Sequence, residues 1–421
     1  MSHSPWADAH ATPALGLPVS PGQPAAAEPG FNPAAEPPAH TALQRLDIRF
    51  TGSGSEYFRL WIVNLLLTLV TLSLYRPFAK VRRLQYFYSN TLVGGHALGF
   101  HGNPWAMLRG HLLLLVFGGA YVLAGQASPL AGAVAGLALA GLWPALWQLG
   151  LRFRLANTSW RGLRLQFMGS AGGAYRALAP AMVLAGLVLA GTAAQTGVSA
   201  DRPASDGQQL AAGLSGLAML VGSLGLPWLL ARLRRYQHGS YQFADQRTQL
   251  DVPTSRFYGV FMRASLMGVV PVALVGVVAA IWLPAHLAER AARGAGGHVP
   301  WLAIASLAML YLLAVLWTQA YLGARLQDLV WGHTRAPRLR FRSALSATRL
   351  GLLMAKNLLL SVLTLGLYQP FAAVAMARLR MQALHLEVVG DVGRWSSPLH
   401  SGGTEATGDA AGDLLDIDLG L

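Results

Sequence analysis

The sequence predicts an all-α polytopic membrane protein with short cytoplasmic β-hairpins. Six transmembrane helices pair into three hairpins, and two half-helices or extra spans flank them. Three observations carry that prediction: long uncharged apolar runs, a one-sided distribution of Lys and Arg, and internal repeats. Of 421 residues, 53% are hydrophobic and 12% charged, with a mean hydropathy of +0.41. A soluble domain carries about a quarter charged residues, so the polar surface needed to keep this chain in water is missing. The runs 112–127, 130–149, 177–194, 210–231, 264–287 and 301–323 are apolar and nearly uncharged. Each approaches the roughly 20 residues a helix needs to cross the hydrocarbon core.

The formal net charge of +14 invites a nucleic-acid reading, which the positions of the charges exclude. Linkers 76–110, 151–176, 232–263 and 325–349 hold 5, 5, 6 and 6 Lys+Arg, or 22 of the 32. Linkers 126–129, 198–207 and 288–300 hold 0, 1 and 2. That imbalance follows the positive-inside rule and assigns the basic linkers to the cytoplasm. A nucleic-acid binder would carry its charge on a soluble domain with helical or aromatic readers.

The absence of cysteine removes disulfides, thiolate nucleophiles and sulfur metal sites. Residues 1–46 are rich in Pro and Ala and are expected to be a disordered tail, with no basic, apolar signal peptide. Residues 393–421 are expected to form a disordered acidic tail, leaving 47–392 as the membrane domain.

Two segments repeat. Residues 64–79, NLLLTLVTLSLYRPFA, match 357–372, NLLLSVLTLGLYQPFA, at eleven of sixteen positions without a gap. A shorter pattern recurs as Ile48-Arg-Phe50, Leu98-Gly-Phe100, Leu165-Gln-Phe167, Tyr241-Gln-Phe243 and Leu339-Arg-Phe341. Alternating apolar and polar residues read as short strands. Upstream stand basic helix ends and polar pairs such as Asn90-Thr91, Asn157-Thr158 and His333-Thr334. The unit is therefore strand, helix in, helix out, basic exit, turn, next strand. If all five strands lie in the cytoplasm, segments 58–75 and 350–368 are half-helices that break at Pro77 and Pro370 and return at once. If they cross fully, the chain has eight spans.

The candidate site lies on that repeat. Asn64, Thr68, Thr71 and Tyr75 fall at i, i+4, i+7 and i+11, and Asn357, Ser361, Thr364 and Tyr368 repeat the spacing. On one helical face, such polar groups look inward, because lipid cannot hydrogen-bond them. Two stripes related by duplication could line a shared solute path; the competing reading is interhelical packing. Lys356 is expected to snorkel to the cytoplasmic face. Arg82, Arg83, Arg234, Arg235, Arg378 and Arg380 are expected to set topology and touch anionic head groups of the bilayer. His96, His101 and His111 fit no metal spacing, and Gly132, Gly136 and Ala140 form a close-packing stripe.

Beyond these spacings, several segments resemble the YjgN family of bacterial inner-membrane proteins. They are Phe50-Thr-Gly-Ser-Gly-Ser-Glu-Tyr-Phe58, the run from Asn64 to Tyr75, Phe78-Ala-Lys-Val-Arg-Arg-Leu84 and Tyr86-Phe-Tyr-Ser-Asn-Thr91. Leu339-Arg-Phe-Arg-Ser343 and Gly390-Asp391 extend the likeness across 47–392. The chain departs from that pattern in its long N-terminus and at Pro77-Phe78, where family members often carry Trp. The resemblance implies a multi-pass bacterial inner-membrane location and brings no activity with it.

No Walker loop, nucleophile elbow, HExxH motif or intramembrane carboxylate pair is present. The expectation is therefore no enzyme, no cofactor and no nucleic-acid partner. Two function classes remain: a conduit or carrier for a small solute or lipid, and a non-transporting scaffold that docks partners through cytoplasmic strands or the acidic tail.

Overall fold

The computed structural model describes residues 43–195, 204–292 and 301–390. The expected disorder of both tails concerns residues that lie almost wholly outside these. At the N-terminal boundary a strand begins at Leu43, four residues inside the segment expected to be tail.

The chain is five copies of one unit. The first runs from β1 (Leu43–Phe50) through α1 (Gly54–Val70) and α2 (Arg76–Ser89) to β2 (Thr91–Val93). The second comprises β3 (His96–Phe100), α3 (Pro104–Ala127), α4 (Pro129–Ala156) and β4 (Thr158–Trp160). The third comprises β5 (Leu163–Phe167), α5 (Ala171–Ala194), α6 (Asp206–His238) and β6 (Tyr241–Phe243), followed by the short β7 (Gln246–Arg247). The fourth comprises β8 (Gln249–Leu250), α7 (Thr254–Ala292), α8 (Trp301–Trp331) and β9 (Thr334–Ala336). The fifth comprises β10 (Leu339–Ser343), α9 (Ala347–Leu363), α10 (Gln369–Gln382) and β11 (Leu384–Val389).

All these strands join one antiparallel sheet in the order β7-β6-β5-β4-β3-β2-β1-β11-β10-β9-β8. Its two edges, β7 and β8, are separated along the chain by Thr248 alone, so the sheet curls into a nearly closed barrel. Gln246 Oε1 accepts from the Arg338 N–H at 3.1 Å across the seam. The structure corrects the sequence reading here: the hairpins are not separate additions to an all-α protein but staves of one β-barrel.

Local chemistry explains each unit. Two-residue turns link successive units, at Gly94-Gly95 (φ 55° and 82°) and Arg161-Gly162 (φ 52° and 81°). Positive φ at both positions gives the turn whose twist suits a hairpin. Where the outbound helix ends, Thr91, Thr158 and Thr334 donate their hydroxyls to the carbonyls of Phe87, Arg154 and Val330, four residues back. Asn90 and Asn157 do the same with their side-chain amides. The polar pairs are thus stop signals that satisfy carbonyls a helix end leaves open.

The five x-Phe motifs all fall in strands but are not equivalent. Phe50, Phe100 and Phe167 close strands that lead into a helix, Phe243 ends a strand that leaves one, and Phe341 sits inside β10. The truer repeat is Phe50-Thr-Gly-Ser53, Phe100-His-Gly-Asn103 and Phe167-Met-Gly-Ser170. In each, the ring folds over the glycine, where a Cβ would lie 2.5–2.6 Å from it. Ser53, Asn103 and Ser170 then cap the next helix by accepting from the N–H groups of Glu56, Trp105 and Gly173.

The five helix pairs stand on one rim of the barrel. Each helix packs chiefly against its partner and one neighbour: α2 on α3, α4 on α5, α6 on α7, α8 on α9, and α10 back onto α1. Helices α3 to α8 contain the six stretches long and apolar enough to cross a membrane. Only 6–22% of each stretch is buried, so the helical layer touches apolar surroundings along most of its length. The stripe Gly132 and Gly136 does bring α4 against α3, with a Cβ at 132 only 2.9 Å from Gly125 Cα.

The first and last pairs are short. Both ends of α1–α2 return to paired strands, Ile48 opposite Val93, and both ends of α9–α10 return to β10 and β11. The chain does not turn at the prolines. It turns at Leu72 and Ser73 (φ 48° and 74°) and at Leu365 and Gly366 (φ 51° and 90°). Pro77 and Pro370 instead occupy the first turn of the return helix, where a missing N–H costs nothing.

Candidate functional site

The barrel holds an apolar cavity of about 210 Å³. It forms where the C-terminal ends of all five outbound helices converge on the inner face of the sheet. Phe87 and Tyr88 come from α2, Leu151 and Arg154 from α4, Gln237 from α6, Trp331 from α8 and Met381 from α10. Alternation along the strands supplies the rest, including Phe50, Val93, Trp160, Phe243, Leu339 and Leu386. Trp160 is held with its indole N–H donating to Val93 O at 3.2 Å and its ring 5.3 Å from Phe243.

One wall is polar. Arg154 is the sole charged side chain among the described residues lining the cavity, beside Gln237 and Tyr241. Burial pushes the Tyr241 phenol up, opposed in part by the charges of Arg234 and Arg154. The phenol therefore stays neutral and hydrogen-bonding at any physiological pH. Next to it His238, fully buried, meets Thr334 Oγ1 at 3.1 Å and packs edge-on against Trp331. This arrangement offers one cation and several neutral hydrogen-bonding groups to a molecule that is otherwise apolar.

The residues singled out from the repeat lie elsewhere. Because α1 ends at Val70 and α9 at Leu363, the polar spacing does not continue along one helical face. Thr71 Oγ1 donates to Leu67 O at 2.7 Å and accepts from the Tyr75 N–H at 3.0 Å. Thr364 makes the same two bonds to Leu360 and Tyr368. These threonines build the turn. Tyr75 and Tyr368 stack on Phe78 and Phe371 at 5.5 Å in both copies. Phe78 then meets Trp105 of α3, and Phe371 meets Phe58 of α1, so the repeated Pro-Phe docks each short pair on its neighbour. Thr68 donates to Asn64 O, and Ser361 is half-buried with its carbonyl taken by Gly366 N.

Asn64 and Asn357 are each 7% exposed, and the Oδ1 atom of each is buried without a hydrogen-bond partner. Asn357 borders a second cavity; Asn64 is not among its walls. The two are therefore alike in environment without sharing a described passage. Lys356 is exposed.

The arginines divide by role. Arg82 and Arg83 are exposed on α2, near the rings of Tyr75 and Phe87. Arg235 holds the start of α7 through Val252 O and Thr254 Oγ1 at 2.8 and 2.7 Å, and Arg234 bonds Gln237 at 3.2 Å. Arg378 donates to Gly52 O at 2.8 Å, tying α10 to the turn before α1, and Arg380 is half-buried. Of the histidines, His101 meets Ser159 at 2.8 Å and His96 meets Gly94 O at 3.1 Å.

Sequence reasoning named Tyr241 only as the start of an x-Phe strand motif and did not single out Gln237 or Arg154 as site residues. Their common signal is position: each lies within a turn of where an outbound helix ends, which the repeat identifies once its phase is right.

Residues 45–414 match the family described as bacterial protein of unknown function (DUF898). Two curated relatives, each called inner membrane protein YjgN, from Escherichia coli O157:H7 and strain K12, are 33% identical over 119 residues. That match covers 28% of this chain and 30% of each relative. A YjgN protein from Salmonella typhimurium is 34% identical over 67 residues, or 16% of this chain and 17% of its own length. No solved structure matches. The family match takes in all ten described helices and all but the first two residues of the barrel, and the chain belongs to the DUF898 family as a multi-pass inner membrane protein.

Proposed function

We propose that the protein is a non-enzymatic membrane carrier or conduit whose cargo is an amphiphile with an anionic head. The observation that supports this reading is the apolar cavity beneath the five outbound helices, with Arg154 as the charge on its wall. Apolar walls suit an acyl or ring system, and a half-buried cation suits a carboxylate or phosphate. The described lining contains no Asp, Glu or His to serve as a general base, which favours binding over catalysis. A polar solute would find few partners there.

The topology belongs to the same proposal. The barrel faces the cytoplasm, α3 to α8 span the bilayer as three hairpins, and α1–α2 and α9–α10 dip in from the cytoplasmic side. Leu72 and Leu365, at their tips, are 88% and 94% exposed, a position that lipid stabilises and water does not. Because the chain has no cysteine, single thiols can be placed at will. An impermeant reagent outside intact cells is expected to label Ser205→Cys and to leave Arg247→Cys and Ser73→Cys untouched. External labelling of Arg247→Cys would invert the orientation, and labelling of Ser73→Cys would make the short pairs full spans.

Cargo is tested by filling the cavity. Ala377 of α10 lines it, so Ala377→Trp is expected to remove co-purifying amphiphiles, read by mass spectrometry of the protein in lipid particles. The loss should be at least about tenfold, and Arg154→Gln should deplete anionic species selectively. An unchanged lipid complement in Ala377→Trp would reject the carrier reading and favour a scaffold.

A further inference from the structure

The barrel cavity is small. Its volume of about 210 Å³ falls below the range of about 300–1,000 Å³ for sites that take drug-sized ligands. A cavity of about 150 Å³ already suffices for benzene. Two acyl chains do not fit in such a space, and one ring with a short substituent does. The walls favour a ring as well. Aromatic residues make up 9% of the chain but eight of the 26 described residues lining the cavity. Six of them are locked in pairs: Phe50 lies 5.5 Å from Phe87, Trp160 5.3 Å from Phe243, and Trp331 4.9 Å from Phe341. Rings fixed in this way present faces and edges at set angles. A flat ring can match them by stacking or edge contact, which a saturated chain cannot.

The cavity also has a direction. Arg154 stands two residues before the end of α4, Gln237 one before the end of α6, and Tyr241 opens β6, so all three lie on the helix side. Trp160 closes β4 and Phe243 closes β6, on the side of the turns. Tyr241 and Phe243 are two residues, or about 7 Å, apart along one face of the strand. Gln246, opposite Phe243, already has its Oε1 engaged by the Arg338 N–H. A ligand therefore meets charge at the helix side and aromatic surface at the turn side. Arg154 repels an apolar cation, and an uncharged ring gains nothing from it.

We infer that the barrel takes a small aromatic carboxylate, its ring among Trp160, Phe243 and Trp331 and its carboxylate toward Arg154 and the Tyr241 hydroxyl. The inference rests on the carrier reading and narrows its cargo from amphiphiles in general to acids of one ring or two fused rings.

The test is calorimetric titration of the full chain in nanodiscs, with empty nanodiscs as the blank. Indole-3-carboxylate is expected to bind saturably, one per chain. Indole, which lacks the charge, and cyclohexanecarboxylate, which lacks the π system, should each bind at least about tenfold more weakly. Arg154→Gln should erase the advantage of indole-3-carboxylate over indole, and Ala377→Trp should abolish binding of both. The comparison of ligands on the unmodified chain decides the matter if a variant folds poorly. Equal binding of cyclohexanecarboxylate, or an unchanged advantage of indole-3-carboxylate in Arg154→Gln, would overturn the inference. Saturable binding of palmitate, lost in Ala377→Trp, with none of indole-3-carboxylate would overturn it and leave the carrier reading standing. Binding of neither acid, with co-purifying amphiphiles unchanged in Ala377→Trp, would remove both.

Discussion

Phe257→Ala is expected to lower the free energy of unfolding by about 3–5 kcal/mol, the range for emptying a fully buried aromatic site. Phe257 is 0% exposed and packs with Ala231 of α6, Leu250 of β8, Val252 just after it, and Leu329 and Val330 of α8. The location magnifies the effect. Edges β7 and β8 are not paired with each other, so the barrel seam relies on side chains where other strands rely on ladder bonds. Around it, Thr248 Oγ1 donates to His238 O at 2.5 Å, and Arg235 holds Val252 O. Removing the ring leaves a void under these bonds, and the rigid helix ends allow little collapse. Phe257→Leu keeps most of the apolar volume and should cost about 1.5 kcal/mol or less. Unfolding in mixed micelles, followed by the fluorescence of the 12 tryptophans, measures both. A loss in Phe257→Ala no larger than in Phe257→Leu would mean the seam is held by backbone alone.

What the sequence revealed, and what it hid, follows from the range of the interactions. The six apolar runs were legible because bilayer thickness acts on each segment alone, and all six lie in helices long enough to span. Five of the eleven described strands were legible too, since alternation is local. Their assembly was not. Nothing near Leu43 states that it pairs with Val389, and the seam at Thr248 becomes visible only when strand order is known. The phase of the x-Phe repeat misled for a related reason. Phe243 matches Phe50 in spelling, but it sits in the strand after an outbound helix, where Val93, Trp160 and Ala336 are its counterparts.

The candidate site shows the same division. A polar spacing of i, i+4, i+7 and i+11 implies one face only while the helix continues, and here it ends before Thr71 and Thr364. Both threonines then serve the turn, together with left-handed Leu72 and Leu365. Duplication of that segment therefore preserves a way to reverse direction and dock through Pro-Phe. The asparagines are the remainder that the turn does not explain. Arg378 makes the parallel point for charge: read as a head-group contact, it closes the ring by reaching Gly52 O, 326 residues away.

Gly191→Leu should separate α5 from α6 and prevent accumulation of folded protein. A Cβ at position 191 would collide with Ser215 Oγ and lie 2.8 Å from Ala211 O and 2.9 Å from Ser215 Cβ. The hydroxyl can rotate; the carbonyl is helix backbone and cannot. Transmembrane helices associate through small residues that bring backbones close, and this is such a contact near the far end of the hairpin. The same end is clamped by Gln208, whose side chain closes a capping box with Ser205 and donates to Ala194 O at 2.9 Å. The helices therefore cannot slide apart without breaking those bonds as well. Gly191→Ala, with a single methyl, is expected to cost about 1–3 kcal/mol as overpacking. Adding Ser215→Gly removes two of the three clashing atoms and should restore part of the loss, despite a glycine penalty of about 1 kcal/mol in the helix. Detergent-resistant, monodisperse yield and a thermal unfolding series across the variants provide the measurement. Wild-type stability in Gly191→Ala would show that α5 and α6 stand further apart than the 2.8 Å approach implies.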